Sequence, residues 1–301
     1  MPTNMIFIET TSSCNLRCPG CYRTSHKYVG KNKNMSLKDF KRYVDQLPST
    51  ISLILHGLGE PTINPDFPEM VKYAHDSRKF NKISFTTNTM AKPPEIYEIL
   101  FANGLSNIRI SVDTLNQEEV EKLRPGTNVK TLAENIKYLH QRFADKISIC
   151  MVASNVNLNS VEETVRKLVN LGVKTIKLQT FQDEGDSDKC LSEEEKEKYV
   201  QIVKRMKYEG VKIKFLDPDY KIPNVPCNAP STRPVITVDG YLTPCSRIHN
   251  KDIFNFGSLK EESFKELFFS RRVDKMRNKM KMGKYPAFCK GCYSNHSERK
   301  D

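Results

Sequence analysis

Between residues 5 and 209 strand-like apolar segments alternate with amphipathic helical ones, and no other feature limits the possible folds as strongly. A strand over 5–9 leads into a cysteine-rich loop. Ser36 caps a helix in which Phe40, Tyr43, Val44 and Leu47 recur at helical spacing. Strands over 51–56, 82–87, 107–112, 146–152 and 174–180 follow, separated by helices near 66–75, 94–103, 131–143 and 161–171. A long helix from Ser192, with Glu195 completing a capping box, closes the unit. Six strands with intervening helices predict an α/β chain of βα repeats on a parallel sheet. Right-handed crossovers curl such a sheet toward a partial (β/α)6 barrel of the TIM-like kind, with ligands at the carboxyl ends of the strands.

The polar clusters fall at those ends. They are the cysteine loop after the first strand, residues 56–61 after the second, Thr87 and Asn88 after the third, and Ser111 and Asp113 after the fourth. After Gly210 the pattern changes to short strand-like pieces (211–215, 235–238), prolines at 218, 223, 226, 230 and 234, and a basic helix near 260–280. A boundary near Asp217 divides the chain into a core of residues 1–216 and a small C-terminal domain of residues 217–301.

The net charge of +12 suits an anionic partner, but the excess is spread along the chain. Its densest stretch, residues 275–284, reads either as a phosphate-binding face or as a solvated helix face. Trp is absent and no aromatic-basic alternation marks a base-stacking platform, so nucleic acid is not favoured as a partner. No run reaches the roughly 18 to 20 apolar residues that cross a bilayer, and the first residues lack a signal-peptide pattern. The expectation is a cytoplasmic protein with no membrane segment.

Nine cysteines in a reducing compartment point to metal binding or catalysis. Cys14, Cys18 and Cys21 sit in one loop, Cys227, Cys245, Cys289 and Cys292 lie in the last quarter, and Cys150 and Cys190 stand apart. Two metal sites and two spare thiols account for all nine. The first group is a C-x3-C-x2-C loop, whose soft thiolates favour zinc or an iron-sulfur cluster. Three thiolates can hold three corners of a cubane and leave one iron open for chemistry; the alternative is zinc with a borrowed fourth ligand such as His26.

The C-x3-C-x2-C loop after the first strand, with Tyr22 beside the third Cys, resembles that of radical S-adenosylmethionine (SAM) enzymes, and the resemblance runs over most of residues 5–182. It implies that Cys14, Cys18 and Cys21 ligate a [4Fe-4S] cluster whose open iron is chelated by SAM, with the backbone near Tyr22 approaching the adenine. Gly57-Leu58-Gly59-Glu60-Pro61 is similar to the family's Gly-Gly-Glu-Pro motif, so Gly59 and Glu60 are implied contacts of the SAM ammonium; Leu58 departs from that motif. Ser111 and Asp113 resemble the segment touching the ribose and carboxylate, and Arg124 matches an arginine that pairs with the carboxylate. Residues 87–89, 152–155 and Gln179 are further candidates for the pocket wall.

The order Cys227, Gly240, Cys245, Cys289-Lys-Gly-Cys292 resembles the opening of the SPASM pattern; with no Cys after 292, its shorter twitch form with one auxiliary [4Fe-4S] cluster fits better. A closed four-thiolate cluster suits electron transfer, and a structural zinc ribbon is the rival. The resemblance implies reductive SAM cleavage to a 5′-deoxyadenosyl radical and hydrogen abstraction from a small-molecule or peptide substrate. Oxidation or bond formation follows, with the auxiliary cluster as relay and a low-potential donor such as flavodoxin or ferredoxin. A start directly at the first strand, with no room for a leader-peptide module, tilts the expectation toward a small molecule. The alternatives are a redox-neutral epimerase, with Cys150 or Cys190 as hydrogen-atom donor, and a zinc-stabilised nucleic-acid-binding protein. His56 and Arg247 are candidate substrate contacts.

Overall fold

A computed structural model describes residues 4–24, 32–181, 187–215, 226–248, 250–289 and 292. The expected zinc ligand His26 and the boundary at Asp217 lie outside these residues. Seven strands alternate with helices in the first part of the chain: β1 (Met5–Ile8), α1 (Leu37–Gln46), β2 (Thr50–Ile54), α2 (Phe67–Asp76), β3 (Phe80–Thr87), α3 (Ile96–Ala102), β4 (Asn107–Ser111), α4 (Gln117–Leu123), α5 (Val129–Phe143), β5 (Ile147–Ala153), α6 (Val161–Asn170), β6 (Thr175–Thr180), α7 (Glu193–Arg205) and β7 (Lys212–Phe215). The rest comprises α8 (Ala229–Thr232), β8 (Val235–Ile236), β9 (Tyr241–Thr243), β10 (Gly257–Ser258), α9 (Phe264–Phe268) and α10 (Arg271–Lys281).

All ten strands form one sheet in the order β10-β9-β8-β1-β2-β3-β4-β5-β6-β7. From β8 to β7 every neighbouring pair is parallel; only the β8–β9 and β9–β10 pairs are antiparallel. The sheet is the parallel α/β arrangement the alternation predicts, extended at both edges by segments the sequence did not mark as sheet members. Residues 212–215 pair with β6, and Val235 and Ile236 pair with Phe7 and Ile8. The pieces after Gly210 therefore continue the core sheet.

Side chains alternate between the two faces of a strand. Ile6, Ile8, Leu53, Phe85, Ile110, Met151 and Leu178 enter one large core beneath the helices. Their neighbours Phe7, Ile54, Thr86, Arg109, Cys150 and Lys177 fall on the opposite, inner face. The helices start where capping chemistry dictates. Ser36 Oγ accepts from Asp39 N, and Phe40, Tyr43 and Val44 of α1 are buried as their spacing requires. The capping box at Ser192 and Glu195 is formed.

The single basic helix expected near 260–280 is two helices. Ser270 is in extended conformation with its Oγ accepting from Val273 N, so it begins a new helix instead of continuing the old one. Within this stretch Arg277 turns inward, donating to Phe268 O and Pro230 O with its guanidinium over the Phe268 ring. Helix α4 has no counterpart in the sequence reading; Asn116 caps it by accepting from Glu118 N and Glu119 N.

Candidate active site

A cleft of about 360 Å³ opens at the carboxyl ends of β1–β5. Cys14, Cys18 and Cys21 all line it, each half-buried. The loop that carries them turns at Cys18, where Cys21 N donates to Cys18 O at 3.1 Å. It is anchored from the side by Arg23, whose Nε donates to Ser12 O. Burial pushes the Cys18 thiol up to about 11, a rise the nearby Arg124 opposes and Cys21 and Cys14 reinforce. Burial also raises Cys14. A thiol so held gives up its proton when metal takes its place. Among the described residues no three His, Cys, Asp or Glu stand close enough to grip one ion. Thiolates on separate irons of a cubane stand farther apart than ligands of a single ion.

The 57–61 segment packs directly on the base of this loop. Glu60 N donates to Ser13 O at 2.8 Å. A Cβ on Gly59 would lie 2.4 Å from Thr11 O and 2.5 Å from Ser13 O, so only glycine permits this approach. The carbonyls of Gly57, Leu58 and Gly59 accept no hydrogen bond among the described residues, although all three residues line the cleft.

The Glu60 side chain has a structural role that the motif does not show. Its carboxylate is 3% exposed and engaged within the protein: Oε1 accepts from Thr62 N, Thr62 Oγ1 and Thr87 Oγ1, and Oε2 from Asn88 N at 2.8 Å. Burial raises its pKa while these donors oppose the rise. The carboxylate ties the end of β2 to the end of β3 and also lines the cleft, where Oε2 accepts a single donor; beside it the segment presents open backbone carbonyls.

Past β3, Asn88 Nδ2 donates to Asn15 Oδ1 of the cysteine loop at 2.9 Å, and Thr89 follows with φ +59, a left-handed conformation rare for a β-branched residue. Thr87 and Asn88 line the cleft; Thr89 is buried behind it, its carbonyl accepting from Asn135 Nδ2.

Past β4, Asp113 Oδ2 accepts from Arg124 Nε at 2.6 Å and Asp113 Oδ1 from Val152 N at 3.0 Å. Burial alone would lower the Arg124 pKa, but Asp113, Cys18 and Cys21 hold it above the ordinary range. The Arg124 Nη groups make no hydrogen bond among the described residues, and Arg124, Asp113 and Ser111 all line the cleft.

His56, Val152, Ser154 and Lys189 complete the wall, and Gly20 meets the Phe181 ring across it. Tyr22 is buried and, like Gln179, Cys190 and Arg247, is not among the lining residues; Cys190 is half-buried beside Lys189. Cys150, also half-buried, lies on the inner face paired with Ser111.

Sequence reasoning missed two buried residues that hold the site. Asn157 donates to Asp113 O and Val152 O. Glu9 accepts from Leu58 N at 2.9 Å and from Val238 N at 3.0 Å, and burial pushes its pKa up to about 7. The signal for Glu9 was its phase with Phe7, which turns it to the inner face; its partners lie 49 and 229 positions away.

In the C-terminal part Cys292 N donates to Cys289 O at 3.1 Å, repeating the Cys21–Cys18 turn. Burial raises the Cys245 thiol, with further repulsion from Cys292 and Cys227, so these three sulfurs share one neighbourhood. Cys227 N in turn donates to the Tyr285 hydroxyl at 3.2 Å.

Two family models match the chain: the radical SAM superfamily over residues 8–168, and the SPASM iron-sulfur cluster-binding domain over residues 227–293. A tungsten-containing aldehyde ferredoxin oxidoreductase cofactor-modifying protein of Pyrococcus furiosus is 24% identical over 95% of this chain and 86% of its own. An AdoMet-dependent heme synthase of Methanosarcina barkeri is 25% identical over 96% of this chain and 90% of its own. Among solved structures, Streptococcus suis SuiB bound to S-adenosylmethionine aligns with a TM-score of 0.73 and 16% identity, covering 90% of this chain and 67% of that one. Native anSMEcpe with bound AdoMet also gives 0.73, at 18% identity over 96% of this chain and 86% of its own. At these identities the structural likeness is one of fold.

Proposed function

The chain belongs to the radical SAM superfamily, and from that premise we propose that Cys14, Cys18 and Cys21 hold its SAM-binding [4Fe-4S] cluster while Cys227, Cys245, Cys289 and Cys292 hold an auxiliary one. It is an enzyme, and the superfamily and SPASM matches imply SAM and [4Fe-4S] clusters as its cofactors. Held in the cleft by Cys14, Cys18 and Cys21, the first cluster with SAM would supply radical chemistry, a hydrogen abstraction from a substrate carbon.

The observation that carries the site assignment is the pairing of open groups across one cleft. Carbonyls without donors at Gly57, Leu58 and Gly59 suit an ammonium, and the free Nη groups of Arg124 suit a carboxylate. These are the two ends of an amino acid, presented beside three thiols. Asp113 orients Arg124, and Glu60 fixes the β2 and β3 ends that shape the wall. Ser111 and the Tyr22 backbone are the contacts assigned to ribose and adenine. The turn at Cys289 and the grouping of Cys227, Cys245 and Cys292 support the auxiliary site, which would take the electron when the substrate radical is oxidised or forms a bond. A flavodoxin or ferredoxin would reduce the first cluster.

The substrate is a small molecule or a peptide. The names of relatives span a heme synthase and a probable GTP 3′,8-cyclase, and one solved neighbour of this fold is SuiB bound to precursor peptide SuiA. The residue boundary we assign between core and auxiliary region is 216/217. Anaerobic reconstitution tests the proposal: about eight irons and reductant-dependent 5′-deoxyadenosine, abolished by Cys18→Ala but spared by Cys245→Ala, which loses product instead. Zinc uptake without SAM cleavage would refute it.

A second reading, radical epimerisation, is favoured by one position: Cys150 pairs with Ser111, a residue of the cleft wall. Cys150→Ser would then leave SAM cleavage intact and abolish solvent deuterium incorporation into product; the same experiment on Cys190→Ser tests the other thiol.

A further inference from the structure

The inner face of β4–β7 carries positive charge that no side chain among the described residues pairs with. Arg109 lies on this face beside Ser148, and Cys150 pairs with Ser111 on one side and Lys177 on the other. Lys177 in turn pairs with Lys214. Arg109 and Lys177 both act electrostatically on Cys150, as do Asp113 and Arg124, so both cations lie in the neighbourhood of this thiol. Two carboxylates of this face near the cleft are already committed, Glu9 to the Leu58 and Val238 amides and Asp113 to Val152 N and Arg124.

Neither Arg109 nor Lys177 makes a hydrogen bond or ion pair among the described residues, and Arg109 Nε is buried with no partner. Arg109 is half-buried, and its buried Nε–H, with no acceptor, carries an unmet hydrogen-bond cost. An unsatisfied buried polar group in a native structure calls for an explanation, and a ligand that supplies the acceptor is one. Arg109 lies two residues below the wall residue Ser111 on β4, and Lys177 pairs with Cys150, two residues below the wall residue Val152 on β5.

We propose that Arg109 and Lys177 form a subsite for an oxyanion of the substrate, a carboxylate or a phosphate, at the base of the SAM cleft. The inference rests on the reading of that cleft given above. Adjacent strands stand about 4.8 Å apart and residues rise about 3.3 Å, so with a two-residue stagger in register the two side chains start roughly 12 Å from each other on β4 and β6, within reach of one anion for two long side chains. The guanidinium fork takes two oxygens and the ammonium a third. Held there, the substrate would lie between this anchor and the wall formed by Ser111 and Val152.

The test uses the full chain, reconstituted and saturated with SAM so that the Arg124 fork is occupied. Pyrophosphate and malonate are titrated in separately by calorimetry. Binding of either probe, weakened about tenfold or more in both Arg109→Met and Lys177→Met with SAM affinity unchanged, supports the subsite, and the preferred probe names the group. Arg109→Met should also melt at or above the wild-type temperature, because it removes a buried N–H that has no acceptor. If neither probe binds, if the variants bind as tightly as wild type, or if Arg109→Met melts far lower with anion affinity intact, the subsite is overturned. Because no turnover is read, a wild-type protein that fails to bind SAM marks failure of the cleft reading instead.

Discussion

Glu9 accepts a hydrogen bond from the Val238 amide at 3.0 Å across 229 positions of sequence, and its other oxygen takes the Leu58 amide at the cleft. One buried carboxylate thus fastens the cleft-lining 57–59 segment to the hairpin that leads to Cys245. Its pKa is pushed from 4.5 up to about 7 by burial. The folded state therefore holds this proton when the unfolded chain has released it. Its contribution is complete below pH 4.5 and is lost as pH rises through about 7. Wild type should lose up to about 3 kcal/mol more than Glu9→Gln between about pH 5 and pH 8. Urea denaturation at both pH values measures the difference; equal losses in the two proteins would remove Glu9 from this role.

Glu60→Ala should destabilise the fold by about 3 kcal/mol, because it strands the donors of Thr62, Thr87 and Asn88 in a buried place. Glu60→Gln keeps acceptance on one side and should lose about half as much. A Glu60→Ala protein as stable as wild type in urea but unable to bind SAM would show that the carboxylate contacts the cofactor.

Gly59→Ala should disturb cluster assembly, since its Cβ would meet the Thr11 and Ser13 carbonyls at 2.4 and 2.5 Å and push the cysteine loop away. Gly172→Ala is the control: its φ of +95 makes the change unfavourable by roughly 1 kcal/mol, but nothing lies within 4 Å. Iron per chain after reconstitution should fall in the first variant and hold in the second.

Arg124→Lys keeps the charge beside Asp113 but loses the planar fork. SAM affinity, read by equilibrium dialysis on reconstituted protein, should fall about tenfold, or about 1.4 kcal/mol. Unchanged affinity would free Arg124 from the carboxylate-binding role.

Strand and helix periodicity made the parallel sheet legible, because Ile6, Ile110 and Met151 must alternate with inner-face residues wherever one face is buried. The cysteine spacing likewise marked both thiol groups. What stayed hidden was set by partners distant in sequence. The sequence marks 235–238 as strand-like, but not that Val235–Ile236 pairs with the edge of β1 more than two hundred positions earlier. Glu60 shows the same limit at the site. Motif spacing places a carboxylate at the strand end, but only the folded arrangement of Thr62, Thr87 and Asn88 shows which donors its oxygens already hold.

The seam between Phe7 and Val235 has a consequence for how the molecule is made. On a ribosome the first strand emerges early, finds β2, and then waits with its other edge bare while residues 55–234 are synthesised. Closing that edge last should make it a slow step in folding and the place where an incomplete chain meets a second one.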